Sequence, residues 1–160
     1  MAKQATKPVP EGYHTITPQL TLDKAADTIE WYKKAFGAEE LARSVGPDGK
    51  IMHAELRIGD SRFMVNDVMP GYKGPRGFGG SPASLWLYVD DCDALFNRAV
   101  SAGGQIQMPM ADQFWGDRGG CLADPEGYTW WIASNKEVLT HEEINERAKE
   151  FFKQMATAPR

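Results

Sequence analysis

The chain has 160 residues, 42% hydrophobic and 25% charged, enough to bury a core in one domain or in two fused small modules. A formal net charge of −4 argues against a nucleic-acid or anionic-membrane surface, so neither is expected as a partner. No apolar run approaches the roughly 18 residues of a membrane span, and the start, MAKQATKPVPEG, lacks an apolar signal core.

Residues 1–12 read as a loose tail. YHTITPQL, Tyr13 to Leu20, predicts a strand, and Pro18 puts it at a sheet edge because proline has no N–H for a ladder. LTLDKAADTIEWYKKAFGA, Leu20 to Ala38, predicts a helix. Asp23 is its expected cap, Ala25, Ile29, Tyr32 and Phe36 share one face, and Gly37 is the left-handed stop. EELARSV, KIMHAELRI and SRFMVND follow as strands, separated by turns at 47–49 and 59–60. The first module is therefore strand, helix, three strands over 13–67. The stretch 68–82, VMPGYKGPRGFGGSP, is a Gly/Pro-rich connector.

The order then repeats over 83–136. SLWLYVD is a strand, DCDALFNRAVSAGG a helix capped by Asp91 and closed by Gly103 and Gly104, and QIQMPM a strand before a loop through Phe114. DRGGCLA, an Asp-Pro-Glu-Gly turn at 124–127 and YTWWIAS complete the set. A shift of 67 carries Asp23 to Asp90, Ala35 to Ala102 and Gly37 to Gly104 without a gap, which reads as an internal duplication. In the tail, 137–160, Thr140 and Glu143 have capping-box spacing, and Ile144, Ala148, Phe151 and Met155 form an apolar stripe. Such a helix must dock on its own domain or on a second subunit, and a homodimer is expected. Cys92 and Cys121 read as buried thiols, and the expected location is cytoplasmic.

Two tandem βαβββ modules with an Asp-Pro-x-Gly hairpin in the second resemble the vicinal oxygen chelate superfamily of glyoxalases, bleomycin-binding proteins and dioxygenases. IEWYKKAFGAEEL, GKIMHAELRIGDSRFMVND and QFWGDRGGCLADPEGYTWWIAS are similar to its PhnB-like branch. The resemblance implies an α+β fold whose modules form a cupped mixed sheet holding the ligand, plus the C-terminal helix. It also implies metal ligands on the first and last strand of each module. Those positions carry over to Thr17, Met64, Ser84 and Trp131, none of which suits a hard or borderline divalent ion.

No metal and no other cofactor is therefore expected at that site. His14, His53 and His141 are scattered. His53 and Glu55 would share a strand face and are the candidate catalytic pair, read as peripheral. On the same register the cup interior shows Thr17, Gln19 and Met64 from the first module. Ser84, Trp86, Tyr88, Thr129 and Trp131 come from the second. Trp130, on the opposite face from Trp131, is expected to pack under the tail or a helix.

In WGDR, Asp117 and Arg118 read as an internal ion pair; the alternative sends Arg118 into the cup to grip an anion, with Trp115 as a lid. The expected function is metal-free binding of a small planar or aromatic molecule. The alternative is a divalent-metal-dependent lyase, isomerase or dioxygenase using a relocated His53/Glu55 site. A third reading gives the tail helix a purely interactional, dimer-forming role.

Overall fold

A computed structural model describes residues 4–157, so residues 1–3 of the expected tail and 158–160 lie outside the described residues. The chain divides into two compact units. One runs to Ser81 and includes Pro125–Gly127; the other takes Pro82–Asp124 and the chain from Tyr128 onward.

The first unit contains β1 (Gln19–Leu22), α1 (Ala25–Phe36), β2 (Glu39–Val45), β3 (Ile51–Ile58), β4 (Ser61–Asp67) and the short α2 (Pro75–Phe78). Its sheet has the order β1-β4-β3-β2, with β1 parallel to β4 and the other pairs antiparallel. Ala25, Ile29, Tyr32 and Phe36 of α1 are all buried, and Tyr32 meets Phe63 of β4 edge-on at 5.8 Å. Gly37, at φ 68°, ends the helix and returns its N–H to the Lys33 carbonyl.

The second unit repeats the pattern with β5 (Ser84–Tyr88), α3 (Cys92–Ser101), β6 (Gln105–Asp112), β7 (Asp117–Ala123) and β8 (Thr129–Asn135), and adds α4 (His141–Thr157). Its sheet order is β5-β8-β7-β6. Phe96, Leu122, Trp130 and Ile132 form its core, and the Trp130 indole donates to the buried Asp124 carboxylate at 2.9 Å. The Asp91 carboxylate caps α3 by accepting from Ala94 N at 2.9 Å. Each unit is one βαβββ module, so the fold is α+β.

The duplication holds at the level of hydrogen-bond register. Adding 67 to both partners carries Gln19↔Met64, Leu20↔Val65 and Thr21↔Asn66 onto Trp86↔Trp131, Leu87↔Ile132 and Tyr88↔Ala133.

Around the start of α1 the structure differs from the sequence reading, and elsewhere β5 ends at Tyr88, β6 continues to Asp112 and the connector contains α2. Leu20 to Leu22 belong to β1, not to the helix, and β1 begins only at Gln19, after Pro18. Pairing with β4 buries Leu20, Thr21 and Leu22, a gain that local helical spacing cannot register. Asp23 does not cap α1, because the cap residue is Lys24 and it offers no side-chain bond. Carboxylates from distant sequence replace it. Glu126 accepts from Asp23 N at 2.9 Å, Lys24 N at 3.1 Å and the Thr28 hydroxyl at 3.1 Å, and Asp67 accepts from Ala25 N at 2.9 Å.

Candidate functional site: an aromatic platform in the second unit

On β5 the side chains alternate. Ser84, Trp86 and Tyr88 stand exposed on the face opposite α3, while Leu85 and Leu87 are half-buried on the other. Trp86 is the lateral neighbour of Trp131, and their rings stack at 4.6 Å between centroids and 5° between planes. Tyr88 extends the stack beyond Trp86 at 6.0 Å and 26°. The adjacent tryptophans of β8 thus divide their work: Trp130 is core and Trp131 lies on the open face.

Trp115 joins from the turn before β7. Gly116 has φ 98°, and a Cβ there would sit 2.7 Å from the Glu137 carbonyl oxygen, so the turn requires glycine. The turn delivers the Trp115 ring edge-on to Trp86 at 6.3 Å and to Trp131 at 6.2 Å. Behind it, Phe114 meets Trp115 at 4.9 Å and packs against Phe151 and Phe152 of α4 at 5.3 and 6.2 Å.

One carboxylate ties the assembly together. Asp117 is buried. Its Oδ2 accepts from the Tyr88 hydroxyl at 2.9 Å and from Trp115 Nε1 at 3.0 Å, and its Oδ1 accepts from Asn135 Nδ2 at 2.9 Å. Burial, and then this carboxylate, push the Tyr88 phenol above its usual value, so at neutral pH it is a donor.

Asp117 is not paired with Arg118, as the sequence reading had it. Consecutive strand residues point to opposite faces, and Arg118 sits on the α3 side. It makes a bidentate pair with Asp93, at 2.7 and 2.8 Å, and a 3.1 Å bond to Asp112. Asp93 and then Asp112 raise the guanidinium's already high pKa, and Arg118 in turn lowers that of Asp93. The structure therefore brings Trp86, Tyr88, Trp115 and Trp131 together and leaves Arg118 apart from them. Ser84 and Thr129 are register partners next along the same face, with the Thr129 hydroxyl donating to Gln107 Oε1 at 2.8 Å. The Cys121 thiol, register partner of Trp131, is buried, which raises its pKa.

In the first unit, Gln19, Met64 and Glu55 form one lateral row across β1, β4 and β3. His53 and Glu55 lie on this open face beside Gln19 and Met64, not at the periphery, because Ala54 and Leu56 take the buried face. His53 Nε2 is 3.6 Å from Glu55 Oε1, Arg62 Nη1 is 3.9 Å from Glu55 Oε2, and Arg62 lies 5.1 Å over the Tyr13 ring. The Gln19 amide is bonded to Asn66 at 2.8 Å. Thr17 precedes β1, its hydroxyl 3.5 Å from the His14 carbonyl.

The donor set does not fit a divalent metal ion. The paired positions Gln19–Met64 and Trp86–Trp131 offer a carboxamide, a thioether and two indoles, whereas such an ion wants imidazole, thiolate or carboxylate. Beside them the first unit's open face adds one imidazole and one carboxylate, His53 and Glu55, short of the three protein ligands a bound ion usually takes. Among the described residues no group of three or more His, Cys, Asp or Glu is placed to hold one.

Sequence reasoning overlooked the role of Asp117. The only local signal was its place two residues after Trp115; Tyr88 and Asn135 come from other strands, and no local pattern announces them.

Two βαβββ sheets, each with an open face opposite its helix, define a protein of the glyoxalase-like class. The chain belongs to the Glyoxalase/Bleomycin resistance protein/Dioxygenase superfamily, whose profile matches residues 14–132. It is 42% identical over 134 residues to an uncharacterized protein of Mycobacterium tuberculosis, covering 81% of this chain and 79% of that one. A solved Arabidopsis thaliana gene product is 30% identical, with a TM-score of 0.63 over 76% of this chain and 98% of its own. The fold is shared with a PhnB protein from Bacillus cereus, at a TM-score of 0.58 and 21% identity, over 76% of this chain and 99% of that one.

Proposed function

We propose that this is a PhnB-like member of its superfamily that binds a small planar or aromatic molecule on the Trp86–Trp131 platform without a metal cofactor. The supporting observation is the exposure of that stack. Tyr88 is 62% and Trp86 41% exposed, although each ring is held in register by neighbours and, for Tyr88, by Asp117. Aromatic surface held rigid and left open suits a flat partner, because little ordering entropy opposes stacking. The partner is then a small molecule rather than nucleic acid or membrane, in keeping with the net charge of −4. Among the described residues no helix is long and apolar enough to cross a membrane. The protein acts in the cytoplasm as a homodimer; α4 supports the dimer through Phe152 and Met155, which are exposed on it.

Calorimetric titration tests the binding. Either 4-methylquinoline or N-methylquinolinium should bind the purified protein, and Trp86→Ala or Trp131→Ala should abolish it. No binding of either probe, or binding indifferent to both substitutions, overturns the reading. A second reading, a divalent-metal-dependent lyase, isomerase or dioxygenase, draws on His53 and Glu55 sharing an open face with Gln19. Stoichiometric Zn, Ni, Mn or Fe that is lost in His53→Ala would establish it.

A further inference from the structure

We propose that the platform selects a positively charged ligand, a planar organic cation. This rests on the aromatic-binding reading and adds the charge of the ligand to it. The decisive feature is the company that Asp117 keeps. Both of its oxygens act only as acceptors, the pattern of a carboxylate, and its three donors are a phenol, an indole and a carboxamide, all neutral.

Among the described residues Asp117 has no ion-pair partner, in contrast to Asp93 and Asp112 with Arg118, or Glu137 with Arg147. The one basic residue on the four strands of this sheet is Arg118, and it is engaged on the opposite face. A buried negative charge without a counter-ion therefore sits at the hydroxyl edge of the exposed Tyr88 ring and the N–H edge of Trp115.

Tyr88 and Trp115 both point their polar hydrogens at that anion, which polarises the rings toward greater electron density on their faces. A cation over the Tyr88 face would meet the ring quadrupole and the field of Asp117 together. A neutral ring of the same shape would gain dispersion alone, and an anion would be repelled. The exposed Tyr88 and Trp86 surfaces are the ones such a ligand can reach.

The test is isothermal titration of the wild-type protein with two flat probes of equal size, cationic N-methylquinolinium and, at pH 8, neutral 4-methylquinoline. The cation should bind about tenfold tighter. In Asp117→Asn, which keeps the shape and an acceptor oxygen, that preference should shrink to about threefold or less, with affinity for the neutral probe nearly unchanged. Equal affinities in the wild type, or a preference for the neutral probe, overturn the assignment of charge while leaving aromatic binding intact. A preference that persists in Asp117→Asn overturns the role of Asp117. Absence of binding by both probes is instead the failure of the aromatic reading itself. Should Asp117→Asn not fold, the wild-type comparison still decides the charge, and Tyr88→Phe, which removes a donor to the carboxylate, supplies the second variant: it should lower the cation's affinity more than the neutral probe's.

Discussion

The Tyr88 hydroxyl reaches across β8 to the Asp117 carboxylate on β7, 2.9 Å away. It can do so because the register places Ala133 and Gly119 beside it, side chains too small to stand in the way. A Cβ on Gly119 would come within 3.1 Å of both the Ala133 Cβ and the Ile132 carbonyl oxygen. An exposed ring is thereby anchored by a buried charge two strands away.

That anchor has a measurable strength. Tyr88→Phe deletes one of three donors to a buried carboxylate while keeping the ring, and should lower stability by about 0.5–1.5 kcal/mol in urea denaturation. Gly119→Ala should cost about 1–3 kcal/mol, since neither β-strand backbone nor a methyl group yields easily.

Glu126 carries more. Its carboxylate satisfies two backbone N–H groups and the Thr28 hydroxyl at the start of α1, and it is buried. Glu126→Ala should destabilise by about 2–4 kcal/mol, and Glu126→Gln by less, because the amide oxygen still accepts. Chemical denaturation of both variants separates the lost acceptor from the lost charge.

Gly116→Ala should disturb the site and the fold together. It forces a side chain into a left-handed turn at φ 98° and against the Glu137 carbonyl, a strain of about 1–3 kcal/mol. Because the same turn holds Trp115, weaker probe binding should accompany the lower melting temperature.

The Asp93–Arg118 pair predicts an acid limb in stability. Arg118 lowers the Asp93 pKa in the folded protein, so the pair's contribution is present above the unfolded value of about 3.9 and is lost as pH falls through the lower, folded one. Denaturation midpoints of wild type and Asp93→Asn measured from pH 7 down to 2.5 should therefore differ above about pH 4 and converge below it.

Removal of metal should change nothing. Prolonged dialysis against a chelator is expected to leave both the melting temperature and the binding of N-methylquinolinium as they were. A loss of either that zinc, nickel, manganese or iron restores would favour the His53/Glu55 reading.

Much of this protein follows from local patterns along the chain. Hydrophobic spacing and turn chemistry disclose two strand–helix–three-strand modules, the Asp-Pro-Glu-Gly hairpin, the Gly37 stop and the Thr140–Glu143 cap of α4, whose bonds run at 2.8 to 3.2 Å. Two-residue alternation alone separates Trp130 from Trp131. Strand pairing had to decide the rest, since it joins segments far apart in sequence. Glu126 replaces Asp23 at the start of α1 from 103 residues away, and Leu20 to Leu22 become strand because β4 lies alongside. Asp117 parts from Arg118 and gathers Tyr88, Trp115 and Asn135. A side chain's face can be read from its neighbours in sequence, but its partners depend on which strands come to lie beside it, and that is a property of the folded sheet.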